Sequence, residues 1–335
     1  MTATWRSLGD PTGPQVVLGI DVGGTKTAAL LVDAEDCVLA VETTSTHHDA
    51  LADGIVALAR LVLDRAGLTA AEVAAVGIGL PGHVDPVAGT VELAVNVARR
   101  SQPIGGIVGA ALGIPCFIDH DARAAARWLA DLDGGRHRAL AYVSVGTGIS
   151  AGVVLDGRLL TGARNMAGEI GHVVAVPDGP SCVCGLRGCL ESVASGPAIA
   201  RIAGTASAAE VFAAAADGDP AAQEVVDTAA AHLARAVRGL VLAFGLDLVV
   251  VGGGVARAGD RLMGPLLDAL AAERAASFVV RELVADGVVR REPADPEAGT
   301  WGAVTVARAG LRDRSLESRS GGEEVERRDL TTQSR

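Results

Sequence analysis

At 335 residues, with 49% hydrophobic but only 2% aromatic content and a formal net charge of −11, the chain suits two modest domains with cores of Ala, Val and Leu. The acidity argues against nucleic acid or an anionic membrane as the main partner. No uninterrupted apolar run reaches the roughly 20 residues needed to cross a bilayer. The opening stretch MTATWRSLGDPTGPQ lacks the apolar segment of a secretory signal. Closely spaced cysteines suit a metal better than a disulfide framework, so the expected compartment is cytoplasmic. Lys26 is the sole lysine, every other Lys or Arg position being arginine. A compositional bias explains that, and makes the surviving lysine a weak hint of a role.

Residues 16–20 (VVLGI) predict a strand, DVGGTKT a glycine turn, and 28–33 a second strand, making a hairpin with an acid at its mouth. Residues 51–66 predict a helix, 73–79 a strand, and PGHVDPVAGTVE a loop with hairpin character. A short helix is expected at 106–112, then IPCFIDHD as a strand ending in charge, then ARAAARWLADL as a helix. The order then recurs: strand 140–146, the turn GTG, strand 151–155 and the short hairpin LDGRLL. Two segments, 16–33 and 140–155, thus begin alike, which suggests a duplicated α/β unit with two lobes enclosing a cleft.

Between His172 and Cys189 the chain reads HVVAVPDGPSCVCGLRGC, one imidazole and three thiols at spacing H-x9-C-x-C-x4-C. A closed structural zinc site takes four tetrahedral N/S ligands, and Cys3His is a standard set. Pro177, Asp178, Gly179, Pro180, Gly185 and Gly188 let the backbone fold His172, Cys182, Cys184 and Cys189 around one ion. The bland alternative is three thiols in a Gly-rich loop. Glu169 precedes this loop and Glu191 follows it, so the metal could fix carboxylates for chemistry. Beyond it the chain turns helical. Residues 221–244 form the clearest amphipathic helix, followed by the buried strand LDLVVV and three glycines. A last helix is expected over about 300–312, before a polar tail, 313–335, with the composition of disorder.

Gly77-Ile78-Gly79-Leu80-Pro81-Gly82 formally matches a dinucleotide fingerprint, but that motif must open directly into a helix. Here His83, Val84, Asp85 and Pro86 follow, so the match is rejected, and no Walker A loop occurs. Three glycine turns remain: Asp21–Thr25, Gly146–Gly148 and Gly252–Gly254. Each ends an apolar strand, and glycines let backbone N–H groups approach phosphate oxygens. Any tight hairpin needs glycine, so one turn is weak; three favour a nucleotide in a cleft.

The set Asp21-Val22-Gly23-Gly24-Thr25-Lys26, Gly79-Leu80-Pro81-Gly82, Gly146-Thr147-Gly148, AGEIGH (167–172), CVCGLRGCLE (182–191) and VVVGGGV (249–255) resembles the ROK family of sugar kinases and related repressors. The resemblance covers about residues 16–312. It implies a two-lobed actin-like ATPase (ribonuclease H-like) α/β fold with a structural zinc loop. The lobes would span 1–119, with the helix 300–312 returning to it, and 120–299. It further implies that Asp21, Gly23, Gly24, Thr25, Lys26, Gly146, Thr147 and Gly148 hold ATP phosphates, while Gly252, Gly253 and Gly254 approach adenosine. The family's base lies in an E-N-D-A-N type segment, here Asp119-His120-Asp121-Ala122-Arg123, which gives Asp121 that position. Sugar hydroxyls would fall to Asn96, His120, Glu169, His172 and Glu191. His120 and Arg123 replace two asparagines of that pattern, which puts sugar identity in question, since an imidazole and an amide donate and accept through different atoms.

Phosphoryl transfer needs in-line positioning, Mg²⁺ and a carboxylate to accept the hydroxyl proton. Taken as residues alone, Asp119 and Asp121 compete equally for helix N-cap and for the base. The expected activity is ATP-dependent phosphorylation of a hexose or amino sugar, at its primary hydroxyl, with ATP, Mg²⁺ and structural Zn²⁺ as cofactors and a homodimer as the assembly. The alternatives are a sugar-responsive repressor and a sugar-binding protein without catalysis. Only twenty residues precede Asp21, too few for a winged helix, and the net charge opposes DNA binding.

Overall fold

The computed structural model describes residues 15–93, 101–293 and 297–314. In chain order the first half carries β1 (Val16–Val22), β2 (Lys26–Val32), β3 (Val38–Ser45), α1 (Leu51–Ala66), β4 (Val73–Leu80), β5 (His83–Asp85), β6 (Thr90–Leu93), α2 (Ile104–Leu112), β7 (Cys116–His120) and α3 (Asp121–Asp133). The second half carries β8 (Ala139–Val145), β9 (Ile149–Leu155), β10 (Arg158–Leu159), α4 (Leu190–Ala194), α5 (Gly196–Ala203), α6 (Ala208–Ala216) and α7 (Pro220–Phe244). It ends with β11 (Leu248–Gly252), α8 (Asp260–Ala276), α9 (Phe278–Leu283), β12 (Val289–Arg291) and a final helix, α10, over 298–314.

Two five-stranded sheets result, ordered β3-β2-β1-β4-β7 and β10-β9-β8-β11-β12. Their wiring is the same. An antiparallel hairpin, β1–β2 or β8–β9, is extended on one side by an antiparallel edge strand and on the other by two parallel strands. The similarity of residues 16–33 and 140–155 is therefore the visible end of a repeat that spans each sheet. β1, β4 and β11 are near-continuously apolar and buried, as parallel strands covered on both faces must be. α1 and α2 share a core with the first sheet, and α7 and α8 with the second.

Between the sheets lie α3, packed on β8 and β9, and α10, packed on the first sheet. A Cβ on Gly77 of β4 would sit 2.0 Å from the Ala303 carbonyl, so the strand tolerates the helix only because that atom is missing. The two helices touch in the same way. A Cβ on Gly302 would come within 2.6 Å of the Ala124–Ala125 backbone, and Trp128 stacks on Trp301 with centroids 6.3 Å apart. An interior built from Ala and Gly brings backbones this close, which explains how a chain so poor in aromatics packs at protein density.

Several elements depart from expectation. β3 alternates and lies at a sheet edge, half exposed, so its apolar signal is weak. α8 contains Pro265, which reads as a breaker in sequence but is accommodated inside the helix. Residues 313 and 314 continue α10 and do not start a tail; 315–335 lie outside the described residues. β7 passes into α3 at 120/121, adjacent to the expected lobe boundary.

Gly77→Ala forces α10 away from β4. Denaturant unfolding should show a loss of about 1–3 kcal/mol, the usual cost of overpacking. An unchanged midpoint would mean that α10 is not held where described.

Candidate active site

A cavity of about 920 Å³ is lined from both halves of the chain. One end is formed by the two hairpin turns. The β1–β2 turn closes through Gly23 N–H donating to the Lys26 carbonyl at 2.8 Å, and the β8–β9 turn through Gly146 N–H donating to Gly148 at 2.9 Å. Thr25 and Thr147 meet across the cavity, hydroxyl to hydroxyl, at 3.3 Å. Asp21, Gly23, Gly24, Thr25, Lys26, Gly146, Thr147 and Gly148 all line this end, with Gly253 and Gly254 beyond. Gly252 does not. It ends β11 beneath Glu292 and Tyr142, where a Cβ would sit 2.0 Å from Glu292 Oε2.

The other end gathers His120, Asp121, Glu169, His172 and Glu191. Asn96 lies outside the described residues. The β7–α3 junction places His120 at the helix cap position, its backbone extended, and Asp121 as the first helical residue. Neither aspartate is therefore the cap residue that both were expected to compete for. Asp119 is buried, and its Oδ1 accepts from His120 N–H at 2.7 Å and from Arg123 Nε at 2.9 Å and Nη2 at 2.6 Å. Arg123, fully buried, also donates to the carbonyls of Asn165, in the loop before Glu169, and of Val84 in β5. The arginine that replaces an asparagine is thus an interior strut behind the site and does not reach the cavity.

The electrostatics divide the acids. Burial first, then the charges of Asp121, Glu297 and Glu292, push the Asp21 carboxyl up to about 7, with Lys26 opposing. Asp121 is also raised, by burial first, with His120 and the Ala122 N–H (2.6 Å) pulling it back. Burial would raise Glu169 too, but hydrogen bonding and charge from His120, with His172, hold it below the usual range. Glu191 is raised by burial and fixed by Ile149 N–H at 3.0 Å.

The four nitrogen and sulfur ligands of the His172–Cys189 loop fall within 4.8 Å of one another. Cys184 Sγ and Cys189 Sγ are 3.7 Å apart, as are Cys182 Sγ and His172 Nδ1. Tetrahedral zinc with Zn–S bonds of about 2.3 Å places two sulfurs about 3.8 Å apart, so the group fits that ion. Without an ion, burial first and then the neighbouring Cys184 and Cys182 thiols push the Cys189 thiol up to about 12, a state that a bound cation would reverse. Because Nδ1 faces the sulfurs, His172 keeps Nε2 for the cavity that it lines.

Sequence reasoning missed one hub. Glu292 accepts from Tyr142 O–H at 2.9 Å, Gly253 N–H at 3.2 Å and the Ala298 N–H, joining β8, the glycine turn after β11 and the start of α10. Glu297 pairs with Lys26 at 3.6 Å and with Arg257. No local motif marks either, since apart from the Ala298 N–H, six residues on, their partners lie 39 to 271 residues away.

The ROK family pattern matches residues 17–309. Glucokinase from Thermotoga maritima is 33% identical, the match covering 87% of this chain and 96% of that protein. N-acetylmannosamine kinase from Yersinia pseudotuberculosis is 32% identical over 88% and 99%. A solved ROK family glucokinase from Streptomyces griseus, in complex with glucose and AMPPNP, superposes with a TM-score of 0.75 at 30% identity, covering 88% of this chain and 99% of that one.

Asp119→Ala leaves the Arg123 guanidinium buried without its partner, which typically costs about 3–5 kcal/mol. Thermal unfolding should report a loss of that order. A change below about 1 kcal/mol would contradict the strut.

Proposed function

The chain belongs to the ROK family and is a sugar kinase, and we propose that it moves the γ-phosphoryl group of ATP to the primary hydroxyl of a hexose or amino sugar, with Asp121 as general base. One observation carries this reading. The two glycine hairpins and the acidic cluster around Asp121 face a single cavity, so a nucleotide's phosphates and a sugar's hydroxyls can meet there.

Backbone N–H groups of both turns, with the Thr25 and Thr147 hydroxyls, cradle the phosphates. Lys26, loosely paired to Glu297, offers a cation at the same end. Asp21 is the carboxylate that fits a Mg²⁺ on those phosphates, since burial first and the nearby carboxylates second disfavour its ionisation without a cation. When bound, Mg²⁺ neutralises charge that develops on the transferring group. Asp121 stands in the same space, near Asp21 and at the N-terminus of α3, and takes the hydroxyl proton as the oxygen attacks phosphorus. Glu169, His172 Nε2 and Glu191 are placed to hold the sugar. Zinc on His172, Cys182, Cys184 and Cys189 would fix the loop that carries Glu169 at one end and Glu191 at the other. The carboxylate-rich sugar end favours neutral or cationic sugars over anionic ones.

Coupled ATP consumption against neutral hexoses, N-acylhexosamines and free amino sugars tests the activity. Asp121→Asn keeps the shape and removes proton acceptance, so turnover should fall by about 10²–10⁴-fold while sugar affinity changes little. Near-full activity in that variant would reject Asp121 as base. Since the base works ionised and its pKa lies above the usual aspartate value, turnover should rise with pH through a limb above that of an ordinary carboxyl. Metal analysis of protein purified without chelator should return one zinc per chain, with Cys189→Ser lowering both zinc and sugar affinity. Zinc-free protein with full sugar affinity would contradict that arrangement.

A further inference from the structure

His120 sits where a sugar ligand was expected, yet its surroundings are almost wholly protein. His120 as a whole is 4% exposed. Nδ1 lies 3.1 Å from Asp121 Oδ1 and Nε2 lies 3.4 Å from Glu169 Oε1. The backbone is equally constrained, since His120 N–H donates to Asp119, which Arg123 holds in turn. Nδ1 is buried and has no aligned hydrogen bond, so its contact with Asp121 is one of charge and close approach.

A neutral imidazole has one donor and one acceptor; a protonated one has two donors and no acceptor. With a carboxylate at each nitrogen, only the protonated ring suits both ends. Burial would favour the neutral ring, but Asp121 and Glu169 together outweigh it and raise the His120 pKa, with Arg123 opposing. The charged groups around the ring are Asp119, Asp121 and Arg123 from the β7–α3 junction and Glu169 from the facing loop; His172 stands next to Glu169 and Asp21 next to Asp121. Asp121 Oδ1 accepts the Ala122 N–H and lies against the ring, which leaves Oδ2 for the hydroxyl proton.

We propose that His120 is a positioning residue for the base and not a sugar ligand: its ring spans Asp121 and Glu169, aims the Asp121 carboxylate, and offers no nitrogen to the sugar. This rests on the reading of Asp121 as base. It also has a consequence for substrate class. The sugar hydroxyl that faces position 120 goes unread, so the site accepts hexoses that are deoxygenated or epimeric at that one carbon, provided the primary hydroxyl is kept.

The test compares wild type with His120→Phe, which keeps a planar ring and removes both nitrogens. Calorimetric binding of a hexose substrate and its monodeoxy analogues, with a non-hydrolysable ATP analogue present, should show no coupling above about twofold between residue 120 and any hydroxyl. Turnover should fall about tenfold to a hundredfold, as for a misaimed catalytic group, with sugar affinity changed less than about threefold. Coupling of tenfold or more to one hydroxyl, or lost affinity at unchanged turnover, would overturn the proposal in favour of a sugar ligand. A second readout needs neither the variant nor turnover. ¹⁵N spectra of wild type at pH 7.5 should show both His120 nitrogens protonated, and Asp121→Asn should abolish that state. A neutral ring in wild type would overturn the proposal even if the kinase is active. Failure of wild type to phosphorylate any sugar would reject the kinase reading, while the spectra would still decide whether the ring bridges the two carboxylates.

Discussion

The architecture depends on two helices lying nearly in backbone contact between the sheets. α10 rests on β4 only because Gly77 lacks a side chain, and it meets α3 only because Gly302 does. The stacked Trp128 and Trp301 extend the same contact. Each helix belongs to a different sheet by packing, so their crossing ties the two repeats into one body with a cleft alongside. α3 begins at that cleft, and its first residue is Asp121. The close helix contact and the placing of Asp121 are therefore one constraint seen from two ends.

Behind Asp121 the chain stacks charges in an orderly way. Arg123 neutralises Asp119, whose carboxylate holds the His120 backbone, and the His120 ring lies between Asp121 and Glu169. Buried ion pairs seldom add net stability compared with apolar packing, but breaking one is costly. Such a chain of pairs is better understood as fixing geometry. Arg123 reaches the Asn165 carbonyl and the Val84 carbonyl as well, so the loop carrying Glu169, the β5–β6 hairpin and the segment carrying Asp121 share one anchor. The same logic holds beside the glycine turn after β11, where Glu292 joins three segments.

Much of this was legible in sequence because it rests on residue types with special chemistry. Glycine turns after apolar strands, and one His with three Cys at short spacing, carry their own signal, and the structure gathers most of these residues into one cavity and one four-residue cluster. Both hairpins and the helix 51–66 were equally readable from periodicity. What stayed hidden consists of pairings between distant segments. Arg123 read as a lost amide because its partners, Asp119 apart, lie about forty residues away in either direction. Tyr142 and Glu292, 150 residues apart, gave no sign of each other. Gly252 was grouped with its neighbours by motif, although strand geometry turns it away from the cavity. β3 and α8 carry weak local signals, through half-exposure at an edge and an internal proline.

The central claim is that sugar and nucleotide meet at Asp121. Its most direct test is a crystal structure of the chain with a phosphorylatable sugar and a non-hydrolysable ATP analogue. The account predicts the sugar's primary hydroxyl within about 2.6–3.2 Å of the Asp121 carboxylate. That oxygen should lie in line with the terminal phosphorus, with the phosphates between the two hairpin turns. A sugar whose reactive hydroxyl meets a different carboxylate, or a nucleotide seated away from those turns, would contradict it.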